Sequence, residues 1–472
     1  MLVLVITLSA YAQDVKMPVL DIHFDATIVR GMPYTNGTMK LTDEEGNVVE
    51  MPAKFKTRGA TAQQFTMKPS LNMKLRSADY EEEVDSALLG MRSCSSWILD
   101  AMAIDRICMR NRVAFDIWNE FSKLPYETNF GSRNGTEGRF VEVYINDKYY
   151  GIYCLSDRIN RKLLDLKKVK EVDGGEMLVR GVLYKSGTSD IGNQNEFGYN
   201  ADYTACTIAW HNAWELSFPE DYASEAVWKP LQDAILTGKS ADYVKKYFFL
   251  ENIADYELHV TALAIEDNMG HKNHYFSIRN INKDIDAVDP DDANRRRFVI
   301  TPWDLDTSLG GNYRGDNYDG NYTNWAVKDV AKNAFYPISA IHGDATYQAI
   351  LKQRWIEGRK GAFSITSVNQ KLETYRDLFI KSGAWQRMID RFGVTNGGPM
   401  LVADLAKEIG LIEKWYENRF HEMDEFFGIT DGIEGIIADT QSNTSVYNLS
   451  GQAVSSHTKG IIIKNNRKYF VR

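Results

Sequence analysis

Residues 266–310 constrain this chain more than any other stretch. Two short β-patterned runs, His274–Ile278 and Arg297–Thr301, are separated by a polar insertion, and each stands beside acidic residues in a loop. Asp267 and Asn273 precede the first run, and Asp304 and Asp306 follow the second. Carboxylates at strand ends beside an Asn are hard oxygen ligands on a rigid support. A divalent metal holding phosphates needs that arrangement, with room left for water and substrate. The segment between the runs, residues 281–296, is acidic and then basic and reads as an exposed hairpin tip. Its acidic part lacks the Gly and late Glu of a calcium-binding helix–loop–helix site.

Composition narrows the classes. The chain has 472 residues, 44% hydrophobic and 12% aromatic, which suits a well-packed globular protein with room for a two-lobed unit. A net charge of −9 excludes the electrostatic footprint of a nucleic-acid binder. The four cysteines never approach a zinc-type spacing. Residues 1–12 resemble the apolar part of a secretory signal peptide, without its basic start, ending at an Ala-Tyr-Ala cleavage site. No later apolar run is long enough to span a bilayer, so export without a transmembrane segment is expected.

Along the chain, residues 17–76 alternate as β-structure, including Ala26–Arg30, with a turn at Gly46–Asn47. One strand carries Lys54 and Lys56 into the turn at Arg58–Thr61, and the next alternates through Leu71, Met73 and Leu75 around Lys74. Trp97–Leu124 reads as a helix whose apolar stripe includes Ile98, Met102, Met109 and Val113, with Asp105 inside it. A buried acid wants a cationic partner, such as a neighbouring arginine of the same helix. Cys108 reads as a buried thiol. Residues 140–159 form a hairpin turning at Asn146–Asp147, whereas residues 181–205 read as a Gly-rich loop. A second helix, Tyr243–Ile265, delivers the chain to Asp267. Helical patterns cover Tyr347–Ser382 and Leu401–Phe427, and from Gly432 the texture turns polar and strand-rich.

The run TPWDLDTSLG, with Asp267 and Lys-Asn-His-Tyr-Phe upstream, resembles the spore coat protein H (CotH) kinase family. The Arg58-Gly59-Ala60-Thr61 turn with its Lys-rich strand, the Asp105…Arg110-Asn111 pattern and the 140–159 hairpin extend the likeness in the right order over residues 17–430. Asp147 and Asp157 stand where that hairpin's pattern has Gly and Glu. The resemblance implies an α+β, atypical protein-kinase-like, two-lobed fold: a β-rich amino-terminal lobe at 17–160 and a mainly helical catalytic lobe at 161–430. Residues 432–472 resemble a small β-module used for sorting or surface attachment.

It further implies transfer of the γ-phosphate of ATP, with Mg²⁺ or Mn²⁺, to Ser/Thr hydroxyls of a secreted or surface protein. Protein kinases use one Asp to position the acceptor and an Asn with a second Asp to hold the metals. By that likeness Asp267 positions the hydroxyl, Asn273, Asp304 and Asp306 form the metal site, and Lys74 contacts phosphate. Arg58 lies in the phosphate-covering turn, and Asp105 pairs with Lys74. Asp267 lies six residues before Asn273 where kinases use five, and Asn268 holds the five-residue position. The alternative is a kinase-shaped surface or binding protein without turnover, and a third reading has the Tyr/Trp-rich loop after Gly310 take carbohydrate.

Overall fold

The computed structural model describes residues 15–59, 67–128, 131–186, 202–204, 207–208, 214–269, 273–283, 296–332, 336–393 and 401–429, and strand backbones beyond 445. The leader-like residues 1–12 and most of the 281–296 tip lie outside these. The chain divides into one unit ending at Phe427 and a second from Gly428.

The first unit begins with seven strands: β1 (Val19–Phe24), β2 (Thr35–Thr42), β3 (Val48–Thr57), β4 (Leu71–Leu75), β5 (Ser96–Asp100), β6 (Gly138–Ile145) and β7 (Lys148–Asp157). They close into a barrel in the order β1-β2-β3-β4-β5-β7-β6, antiparallel except where β6 meets β1. Strict alternation drives the closure: Leu20, Ile22, Phe55, Leu71, Met73, Leu75, Trp97, Leu99, Tyr153 and Leu155 share one buried cluster. Successive side chains of a strand face opposite ways, so each apolar set fills the barrel while its neighbours face out. The β6–β7 turn uses Asn146 and Asp147 at φ 49 and 63, as a tight primed turn demands.

Two sequence expectations fail here. Ala26–Arg30 is not a strand, and Trp97–Leu124 is not one helix. Trp97, Ile98 and Leu99 are claimed by β5, wedged between β4 and β7. Long-range pairing outweighs the local helical stripe, and helix α1 (Arg110–Phe121) starts only after Cys108, which is buried at φ 55.

Beyond a short ladder of β8 (Lys170–Glu171) and β9 (Met177–Leu178) comes a five-stranded antiparallel sheet. It comprises β10 (Gly181–Ser186), β11 (Thr207–Ile208), β12 (Trp214–Phe218), β13 (His274–Arg279) and β14 (Phe298–Pro302), in the order β11-β12-β10-β13-β14. Gly181–Ser186, expected to be loop, is the central strand. Val182, Leu183 and Tyr184 are fully buried, so burial on both faces erased the alternation that would have revealed it.

The remaining helices are α2 (Glu225–Leu236), α3 (Ala241–Tyr247), α4 (Leu250–Leu263), α5 (Val327–Lys332), α6 (Ile338–Ile341), α7 (Ala345–Gly358), α8 (Ile365–Lys381), α9 (Ala384–Phe392) and α10 (Leu405–Phe426). The expected Tyr243–Ile265 helix is α3 and α4, broken at extended Phe248, which pairs with Phe298. Helix α4 is buried from Asn252 to Leu263, and Asn252 covers the outer edge of β14 by bonding both backbone groups of Ile300. Its C-cap, Ala264, adopts the left-handed conformation and turns the chain towards Asp267.

The second unit carries β15 (Val446–Asn448), β16 (Ala453–Val454), β17 (Gly460–Lys464) and β18 (Arg467–Val471) as one antiparallel sheet.

Candidate active site

Strands β13 and β14 pair from His274–Pro302 to Ile278–Phe298, which sets Asn273 beside Trp303. Trp303 N–H donates to the Asn273 carbonyl at 2.8 Å. Fully buried Asn268, in a 3₁₀ turn with Glu266 and Asp267, donates its amide to the carbonyls of Asn273 (2.9 Å) and Trp303 (3.1 Å). The acid-bearing loops are thus tied at their roots. Asn273 and Asp304 then bend away at φ 65 and 57, a left-handed conformation sustained only where surroundings over-determine it.

The loop after β14 is held from several directions. Asn111, in the first turn of α1, accepts from Leu305 N–H (3.1 Å) and donates to Asp100 (2.8 Å). Thr307 Oγ1 accepts from Asp267 N–H at 3.1 Å, and Leu309 N–H reaches the Leu263 carbonyl. These contacts gather the acids. Burial, then the charges of Asp304, Asp100, Asp267 and Asp105, push the Asp306 carboxyl well above the usual range. Asp267 and Asp304 therefore act on the same third carboxyl. A narrow crevice opens beside Asp304, lined also by Arg58, Asp100, Asn111 and Trp303. The Arg58 guanidinium, just after β3, lies 5.5 Å over the Trp303 ring next to Asp304, while Ala60 and Thr61 of the expected turn lie outside the described residues.

The expected Lys74–Asp105 pair does not form. Lys74 stands opposite Lys54 on the outer face of the barrel, 3.5 Å from Glu83 and over the Tyr34 ring. Asp105 lies instead before α1. Its carboxylate accepts from the backbone of Met109 (2.8 Å) and Arg110 (2.7 Å) and pairs with the Arg110 guanidinium at 2.6 Å. Both side chains are almost wholly buried. The neighbouring-arginine alternative is the one realised, because unpaired helix N–H groups and a buried cation satisfy the acid at once.

Sequence reasoning missed Lys68. It is fully buried, its Nζ donates to the Ala101 carbonyl at 2.6 Å, and it sits 5.2 Å over the Tyr153 ring. Burial lowers its affinity for a proton, against Cys108, Asp100 and Asp105, which raise it. Lys68 precedes β4, so no alternation marks it. Its only signal is membership of the same Lys-bearing segment.

The donor set suits a hard cation that shares its shell with phosphate. Asn273 has a buried amide nitrogen without a partner among the described residues, and turning that amide over presents its oxygen instead. Among the described residues no three acidic, His or Cys side chains converge closely enough to hold an ion alone. Charges are felt over longer distances than ligands reach, so this agrees with the shift at Asp306. Mg²⁺ binds through one or two carboxylates completed by substrate phosphates and waters, whereas calcium or zinc needs a dedicated cage.

The aromatic loop keeps Tyr313, Tyr318 and Trp325 exposed. Arg106 covers Tyr318 at 3.6 Å, and Arg314 lies over Tyr313 at 5.3 Å. Among the described residues no helix is long and apolar enough to cross a membrane. A family model described as CotH kinase protein matches residues 55–423, from the barrel through most of α10. No curated protein matches the chain.

Proposed function

Because this chain belongs to the CotH kinase protein family, with the kinase-like function that membership suggests, we propose that it is an Mg²⁺-dependent protein kinase acting on exported substrates. In this reading the barrel is the upper lobe of a kinase-like pair, and the sheet with its helices is the lower lobe. ATP lies between them. The observation that carries the reading is Asp304 in a crevice also lined by Arg58, Asp100 and Asn111, with buried Asp306 close enough to feel the charges of Asp304 and Asp267.

Phosphoryl transfer is mostly positioning and neutralisation of charge. Asp304 and Asp306, with Asn273, would hold Mg²⁺, which when bound offsets the charge of the phosphates. Arg58 and Lys68 add cationic donors on the barrel side. Asp267 orients the acceptor Ser or Thr and takes its proton as the hydroxyl oxygen bonds to the γ-phosphorus. The bond between that phosphorus and the bridging oxygen breaks, and ADP leaves. Export, supported by the leader-like residues 1–12, sets the acceptor at or outside the cell surface, and the second unit serves sorting or attachment.

The test is transfer of labelled γ-phosphate by the purified chain with Mg²⁺. Asp304→Asn removes one anionic ligand and should abolish transfer while circular dichroism stays unchanged. Wild-type transfer by that variant contradicts the metal assignment.

A further inference from the structure

We propose that one mouth of the barrel is a second, separate site that binds a phosphate monoester dianion. Alternation along β7 separates it from the crevice. Ser156 lines the crevice, whereas Asp157 continues the inward series of Tyr153 and Leu155 and is fully buried at the end of the strand. Over this end lies an open cavity of about 670 Å³, framed by the loops at 87–93, 131–137 and 161–165. Barrel mouths are recurrent ligand sites.

The lining is cationic in a chain whose net charge is −9. Arg92, Arg133, Arg161 and Lys162 all face the cavity, against Glu137 and Asp165. Part of this charge is structural. Arg92 neutralises Asp157, Arg133 meets Glu137 at 2.6 Å, and Lys162 pairs with Asp85. Arg139 shares Glu137, and Arg279 lies 3.4 Å from Asp165. Among the described residues six cations therefore meet four carboxylates, an excess of two positive charges.

Two donors locate the excess. Arg161 forms no ion pair among the described residues; its contacts are the Leu166 carbonyl and the Phe218 ring. Arg133 Nε is buried with no acceptor among the described residues. A buried unpaired guanidinium N–H is costly, and an oxyanion satisfies it while balancing two charges. Gly90 and Gly131 keep the approach free of side-chain bulk. A dianionic phosphate matches the surplus in charge, and forked donors match its oxygens.

Two sources share this chemistry, free phosphate and a phosphorylated side chain. Calorimetry on the full chain, at about 50 mM ionic strength because exposed charge is screened by salt, uses inorganic phosphate and N-acetyl-O-phosphoserine amide. Saturable binding is expected in the millimolar range or tighter. Equal affinities identify free phosphate as the source, and tighter phosphoserine binding identifies a phosphorylated chain. Arg161→Gln should weaken binding about tenfold, the worth of one charge-assisted bond. Lys162→Glu, at an exposed position, should abolish it, whereas Lys381→Gln on α8 should change nothing. An Mg²⁺-bound non-hydrolysable ATP analogue should not compete. Absence of binding, full binding by Arg161→Gln and Lys162→Glu, or displacement by the nucleotide would each overturn the site. None of these readouts needs turnover, so an inactive protein leaves the test intact.

Discussion

Asn268 donates its side-chain amide to Asn273 at 2.9 Å and to Trp303 at 3.1 Å, joining the two loops that carry the acids. Counting back five residues from Asn273, as in protein kinases, lands on this residue rather than on an Asp. Its neighbours are two carbonyl oxygens and the Tyr256 hydroxyl, so the position calls for a donor. The clamp thus leaves the adjacent Asp267 as the Asp of the turn, beside Glu266.

Asn268→Asp separates the two ideas. If spacing alone defined the base, the new carboxylate would restore or raise transfer. With the clamp, it faces two carbonyl oxygens, the loops part, and transfer should fall at least tenfold with a higher Mg²⁺ requirement, since a lost buried bond costs about 1–3 kcal/mol. Transfer assayed against Mg²⁺ concentration checks this.

Lys68 and Lys74 make a second contrast. Lys68→Met removes a buried cation beside Asp100 and Asp105 and should weaken ATP binding markedly. Lys74→Ala removes an outer-face cation near Glu83 and should leave ATP affinity within about twofold, because exposed pairs contribute little. Nucleotide titration of both variants distinguishes them, and the reverse ranking restores Lys74.

Sequence legibility followed where the pattern was local. The β3–β4 and β6–β7 hairpins, the β13–β14 pair and helices α7, α8 and α10 are all visible in alternation, turn residues or periodicity. What escaped was decided by distant partners. Trp97–Leu99 suit a helical stripe until β4 and β7 flank them, and Gly181–Ser186 lost its period through burial on both faces. Asp105 found Arg110 rather than Lys74 because the fold put the helix start, not the strand, beside it. Lys68 has no periodic neighbour at all.

The second unit yields a third prediction. The boundary near Phe427 implies that deleting residues 432–472 leaves the first unit folded. Its melting temperature should move by less than about 2 °C, under the shift that losing 1 kcal/mol brings to a domain of 150–250 residues. Calorimetry of the truncated chain checks this, and a large fall would make the tail part of the core.

The central claim is that Asp267 serves an acceptor in the crevice of Asp304. The decisive measurement compares Asp267→Asn with wild type for both transfer rate and ATP affinity. The lost contact is to the acceptor, so kcat should fall by orders of magnitude while ATP affinity stays within about twofold. Unchanged transfer in Asp267→Asn, or a loss of ATP binding equal to the loss of rate, would contradict it.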